Sequence, residues 1–155
     1  MECKENNLTI LWRDGLSVGN DWIDSDHQHL IALINTTQQA LTSDLPMADL
    51  QKVIDELRDY THAHFAMEER MMITLSYAKY DLHKHAHLEL IEQLAQATKP
   101  IQEIDQTQCP TTARLPDGVR ENLIALLRHW LLDHIVKEDM QYRPLLAEKP
   151  RSFAP

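Results

Sequence analysis

Glycine is scarce in this chain, with three in 155 residues, and β-branched runs are few. Both shortages favour helix over sheet. The two cysteines, Cys3 and Cys109, stand far apart with no CxxC spacing, so they are expected as reduced thiols without a role in a site. No Lys/Arg cluster interrupts a net charge of −9. Phosphate backbones and anionic headgroups are repelled by such a chain, so neither nucleic acid nor membrane is an expected partner. No apolar run reaches the roughly 18 residues a membrane helix needs. The N-terminal MECKENNLTILWRDG is polar where a signal peptide would be apolar, which predicts a cytoplasmic protein. The length suits a single domain.

What is present is helical periodicity. Residues 1–23 carry Trp12 and Trp22 without a helical pattern and read as an extended arm. A first helix begins in DSDHQHL, with acidic residues and Ser25 leading a stripe at His27, Leu30, Ile31, Ile34, Gln38 and Leu41. After Pro46 a second stripe runs through Leu50, Val53, Leu57, Tyr60, His64, Glu68, Met71 and Leu75, ending near Ser76. A third starts near Asp81 with Leu82, His83, Ala86, His87, Leu90, Leu94 and Ala97 inward, until Pro100 breaks or kinks it. Residues 98–118 read as a long loop without chemistry. The fourth helix runs from Val119 through Leu123, Leu126, Leu127, Trp130, Leu131, His134 and Ile135 to Pro144. The tail, 143–155, is polar and Pro-rich, and reads as a disordered end or a linker. Four amphipathic helices with mostly short connections predict an all-α, antiparallel up-down four-helix bundle over 24–142.

Residues 83 to 87 read HKHAH, three of the nine histidines in the chain. A helix turns about 100° per residue, so positions four apart are about 40° out of line and about 6 Å apart along the axis. His83 and His87 can therefore grip one ion together, whereas His85 points the other way. The same test sets His27, His64 and His134 on apolar stripes and His29, His62 and His129 off them. Glu68 follows His64 by four residues on one stripe; Asp139 follows His134 by five, off-line but within reach of a shared centre. A lone histidine on an apolar face is ordinarily a core residue with satisfied nitrogens. Seven polar groups aimed into one core are another matter, because each costs about 2 kcal/mol or more if left unpaired. A metal removes that cost by using the lone pairs directly. One ion cannot use seven such ligands, but two can if the carboxylates bridge them. The donor types suit iron, zinc or manganese.

The stretches VGNDWIDSDHQHL, YTHAHFAMEERMM, HKHAH and WLLDHIVKED, in this order, resemble the hemerythrin family, and within it the single-domain bacterial hemerythrins. The resemblance runs from about Trp12 to about Tyr142. It implies two iron ions (Fe2+/Fe3+) joined by a glutamate, an aspartate and an oxo or hydroxo bridge, with O2 as a reversibly bound ligand. Carried onto this sequence, His83, His87 and His134 would hold one iron. His27 and His64 would hold the other, which keeps an open position, and Glu68 and Asp139 would bridge. The apolar oxygen pocket of the family falls on Leu30, Phe65, Trp130, Leu131 and Ile135, which are also ordinary core residues. Tyr142 fits the pattern with no role that the sequence supplies, Asp133 stands where asparagine is common, and the 98–118 segment is longer than in the shortest relatives.

The function so implied is oxygen storage, carriage or sensing, with a signalling output domain or a redox partner as a further partner. Peroxidase, oxidase or nitric-oxide chemistry at the same centre is the enzymatic alternative. A structural zinc bundle would need only four ligands, often including cysteine, and matches seven poorly. Nitrogen dominates the donors, and the spacing is His-x-x-x-Glu, whereas ferritin-like di-iron sites carry Glu-x-x-His pairs and more carboxylates. That balance favours reversible binding, so an enzyme is not expected.

Overall fold

The computed structural model describes residues 9–155; the first residues of the arm, with Cys3, lie outside them. Four helices carry the fold: α1 (Asp21–Thr42), α2 (Met47–Thr74), α3 (Tyr80–Gln102) and α4 (Val119–Lys137). Each packs on the next and α4 closes back on α1. Short turns join α1 to α2 and α2 to α3, which forces antiparallel neighbours. No strand occurs among the described residues, and none of their helices is long and apolar enough to cross a membrane.

Several boundaries differ from the expected ones. The first helix starts at Asp21 because Asn20, not Ser25 or an aspartate, caps it: the Asn20 side chain accepts the backbone N–H groups of Trp22 and Ile23, each at 3.1 Å. Gly19, at φ +86°, makes the turn into that cap. Asp24 then falls inside the first turn and fastens the arm, accepting the Val18 N–H at 2.9 Å and the Ser17 hydroxyl at 2.5 Å. Pro100 does not end α3, which continues to Gln102. A proline one residue before the last turn closes removes only a single ladder bond. Leu82, expected inward, is 70% exposed, because the buried line of α3 runs through His83, His87, Leu94, Thr98 and Ile101.

The fourth helix stops at Lys137, well short of Pro144, and a 3-10 turn (Asp139–Gln141) and the one-turn helix α5 (Arg143–Leu146) follow. The tail beyond is docked, where the sequence suggests a disordered end or linker. The Arg151 carbonyl accepts the Asp21 N–H at 2.9 Å, the Phe153 carbonyl accepts from the Asn20 side chain at 2.8 Å, and the Arg151 guanidinium pairs with Asp21 at 2.9 Å. These contacts use polar groups that composition alone reads as solvated.

Two apolar clusters fill the bundle. The larger joins Leu30, Ile34 and Leu41 to Leu50, Ile54 and Leu57, with Leu94, Leu123 and Leu127 from the other helices. The smaller holds Val18, Ile23, Met71, Met72, Tyr142 and Leu146. On every helix the buried polar residues of interest fall between the two.

The connection from α3 to α4 closes the base under the larger cluster. Buried Thr112 accepts the Leu45 N–H at 2.9 Å with its hydroxyl oxygen and donates to the Ser43 carbonyl, while its own N–H reaches the Leu45 carbonyl at 2.9 Å. Thr112→Val keeps the shape but strands the Leu45 N–H and the Ser43 carbonyl. We expect it to cost about 1–3 kcal/mol of stability, read as a lowered denaturant midpoint with the metal content unchanged.

Candidate metal centre

The stripes of four helices deliver His27 from α1, His64 and Glu68 from α2, His83 and His87 from α3, and His134 from α4 to one buried level. Asp139 arrives by another route. Five residues on in a regular helix would carry it about 140° away from His134. The helix instead breaks after Lys137, and the 3-10 turn swings the carboxylate back, so that Asp139 Oδ1 lies 3.0 Å from His134 Nε2. All seven side chains are buried, whereas His29, His62, His85 and His129 are exposed.

Donor atoms gather in two groups. One atom each from Glu68, His83, His87, His134 and Asp139 lie within 4.8 Å of one another, and so do atoms from His27, His64 and Glu68. Glu68 belongs to both. Its Oε2 lies 3.4 Å from His64 Nε2 and 3.2 Å from His87 Nε2, and its Oε1 lies 3.6 Å from His27 Nε2. Asp139 divides its oxygens: Oδ1 lies 3.1 Å from His83 Nε2, and Oδ2 lies 3.2 Å from His27 Nε2.

These separations are short, yet they do not make a satisfied hydrogen-bond network. The buried side-chain atoms without a hydrogen-bond partner among the described residues include both nitrogens of His27, Nε2 of His64 and His134, Nδ1 of His83, Oε2 of Glu68 and both oxygens of Asp139. His83 Nε2 and His87 Nε2 face each other at 3.1 Å. Two ligands about 2.1 Å from one ion at right angles stand about 3 Å apart, so orphaned lone pairs at this spacing fit a metal. Imidazole and carboxylate together suit iron, zinc or manganese.

Without metal the centre is strongly polarised. Burial disfavours a charged His27 ring, but Asp139 and Glu68 outweigh it and raise its pKa to about 10. Burial and mutual repulsion push the carboxyls of Glu68 and Asp139 up, yet the surrounding histidines hold both well below the usual carboxylate range.

An outer set of partners was not legible in the sequence. Asp26 Oδ2 lies 3.2 Å from His64 Nδ1, and its Oδ1 accepts the Tyr60 hydroxyl at 2.7 Å. Burial raises the Asp26 carboxyl, but the bonds from His64 and Tyr60 leave it below its ordinary value; burial and Asp26 together push Tyr60 up to about 12. Glu69 Oε1 lies 3.2 Å from His87 Nδ1. Tyr142, fully buried, donates its hydroxyl to Glu68 Oε1, and burial together with the two carboxylates raises its pKa well above the usual phenol range. The Asp26 and Glu69 contacts cross between helices, and only the adjacency of Asp26 to His27 and of Glu69 to Glu68 hints at them; Tyr142 reaches Glu68 from the turn before α5.

Leu30, Phe65, Trp130, Leu131 and Ile135 are all buried, and all but Phe65 belong to the larger apolar cluster. Phe65 stacks on His87 with ring centroids 3.9 Å apart. The Trp130 indole donates to the Leu90 carbonyl at 3.1 Å.

The hemerythrin HHE cation-binding domain family model matches residues 18–146. The chain belongs to the hemerythrin family. It is 30% identical to a bacteriohemerythrin of Stenotrophomonas maltophilia, over 94% of this chain and 86% of that protein. It is 27% identical to a bacteriohemerythrin of Clostridium acetobutylicum, over 86% and 98%, and 28% identical to a myohemerythrin of Riftia pachyptila, over 86% and 90%. Hemerythrins are non-haem-iron proteins that bind oxygen, and the donor set of this chain fits that chemistry.

The charge pattern sets a pH dependence for the metal-free protein. The ion pairs of His27 stabilise the fold fully below its unfolded value of 6.5 and are lost as pH rises through about 10. Glu68 and Asp139 contribute stability above their unfolded values of 4.5 and 3.8 and lose it on acidification. Thermal unfolding in chelator should therefore peak between about pH 5 and 6.5 and decline toward pH 10. Loading with metal should remove the alkaline decline, since His27 is then an unprotonated ligand.

Proposed function

We propose that this bundle holds two iron ions and binds O2 reversibly as a store, carrier or sensor. The observation that carries the reading is that Glu68 belongs to both donor groups while Asp139 turns one oxygen to His83 and the other to His27, which a single ion would not require. In this reading His83, His87 and His134 would hold one iron, His27 and His64 the other, and Glu68 and Asp139 would serve both, together with an oxo or hydroxo bridge. The iron pair, when bound, would supply one electron from each ion for O2.

The residues of the chain do the rest. The buried rings of Phe65 and Trp130, with Leu30, Leu131 and Ile135, keep the centre dry, and water or anions entering it would promote irreversible oxidation. The Tyr142 hydroxyl holds Glu68 Oε1 and so fixes the tilt of that carboxylate. Nitrogen-rich ligation stabilises iron at ordinary oxidation states and favours release over turnover. A ferrous pair also calls for a reducing compartment, which supports a cytoplasmic location, with residues 24–142 as the oxygen-binding unit. A redox partner or a signalling output domain would complete the system.

Anaerobically reduced protein should carry about two irons per chain and gain an oxygen-linked absorption on exposure to air that fades under vacuum. Sustained consumption of O2, peroxide or nitric oxide with an added reductant would instead make the centre an enzyme. Trp130→Ala should cost about 3–5 kcal/mol of stability and speed autoxidation of the oxygenated form. An unchanged autoxidation rate overturns the place of Trp130 in the pocket.

A further inference from the structure

The two donor groups are unequal in imidazoles: one gathers His83, His87 and His134, the other only His27 and His64, with Glu68 common to both and Asp139 Oδ2 lying 3.2 Å from His27 Nε2. Their outer partners are unequal too. The Nδ1 atoms of His27 and His83 have no hydrogen-bond partner among the described residues. Glu69 faces His87 Nδ1, but its other oxygen lies 3.5 Å from the Lys84 ammonium, which draws on the same negative charge. Asp26 faces His64 Nδ1 while its other oxygen is held by a neutral phenol, the Tyr60 hydroxyl.

Asp26 therefore ties α1 to α2 by two directed contacts, one to the ring and one to a tyrosine a single turn before it. The Tyr60 ring is in turn covered by His29, with centroids 4.3 Å apart. Both oxygens of the carboxylate are thus engaged, and among the described residues no lysine or arginine pairs with it. An imidazole whose N–H points at such a carboxylate keeps its other nitrogen as a lone pair, fixed in direction and raised in basicity.

We propose that Asp26 is a positioning residue that keeps the His27/His64 half of the centre loaded, compensating for its smaller number of imidazoles. The inference rests on the two-metal reading above and gives the halves different dependence on their outer carboxylates. Loss of Asp26 empties one half, whereas loss of Glu69 leaves both filled, because three imidazoles already hold the other ion.

Co2+ tests this without oxygen chemistry, since its visible absorption reports coordination and dialysis counts the bound ions. Apo wild type should take up two Co2+ per chain. Asp26→Asn should bind the second about 10- to 100-fold more weakly and retain one where wild type retains two. Tyr60→Phe, which keeps the carboxylate and the ring, should fall between them, and Glu69→Gln should keep both. Circular dichroism of the apo forms monitors folding; if Asp26→Asn does not fold, Tyr60→Phe carries the decision. Wild type binding fewer than two ions overturns the two-metal reading and this inference with it. Wild type binding two while Asp26→Asn and Tyr60→Phe bind two at the same affinity overturns the role of Asp26 alone.

Discussion

Glu68 and Asp139 lie fully buried beside one another, and the rest of the structure answers to the cost of keeping them there. A carboxylate taken out of water loses several kcal/mol even after the protein relaxes, and two together also repel. Tyr142 gives Glu68 one hydrogen bond, and His27 is held charged between the pair. That leaves both oxygens of Asp139 and several imidazole nitrogens without partners. Cations are the remaining way to stabilise such a cluster, and the donor atoms already stand at the spacing a cation imposes. A metal held there would in this sense be part of the core, and without it the buried polar layer is a liability for the fold.

That layer is tolerable because apolar packing lies on both sides of it. The larger cluster below and the smaller one above tie all four helices together independently of the centre, so the ligands are presented by rods that are already fixed. The smaller cluster depends on the chain beyond α4. The break after Lys137 places Asp139 in the layer, Tyr142 against Glu68 and Leu146 among Met71 and Met72. One irregularity in the backbone thus supplies a ligand, a hydrogen-bond donor and a plug. A helix running on to Pro144 would have carried all three elsewhere.

The helices and the inward histidines were legible in the sequence because both follow from a period of 3.6 residues applied to apolar and polar letters. His83 and His87 separate from His85 on that count alone, and the exposure of the three agrees. The features that escaped it are those that periodicity does not encode. Asn20 acts as a cap through its own side chain, Leu82 sits one residue off the buried line, and the tail is held by backbone carbonyls whose partners lie more than a hundred residues away. Asp26 and Tyr60 were visible only as a helical acid and a half-buried aromatic. Their function arises from two helices meeting, which no single stripe reports.

The proposed preference for holding oxygen over consuming it has a physical basis in the same geometry. Turnover at a di-iron site draws on ligands that stabilise highly charged metal, and carboxylates supply that charge. Here only two carboxylates enter the layer: Asp139 lies 3.0–3.2 Å from three imidazole nitrogens, and Glu68 lies 3.2–3.6 Å from three and accepts a hydrogen bond from a phenol. The carboxylates outside the layer, Asp26 and Glu69, face imidazole rings, so their charge would adjust ligand strength without adding a coordinating oxygen. A centre tuned through its histidines and poor in carboxylates would be suited to giving back what it takes up, as proposed above.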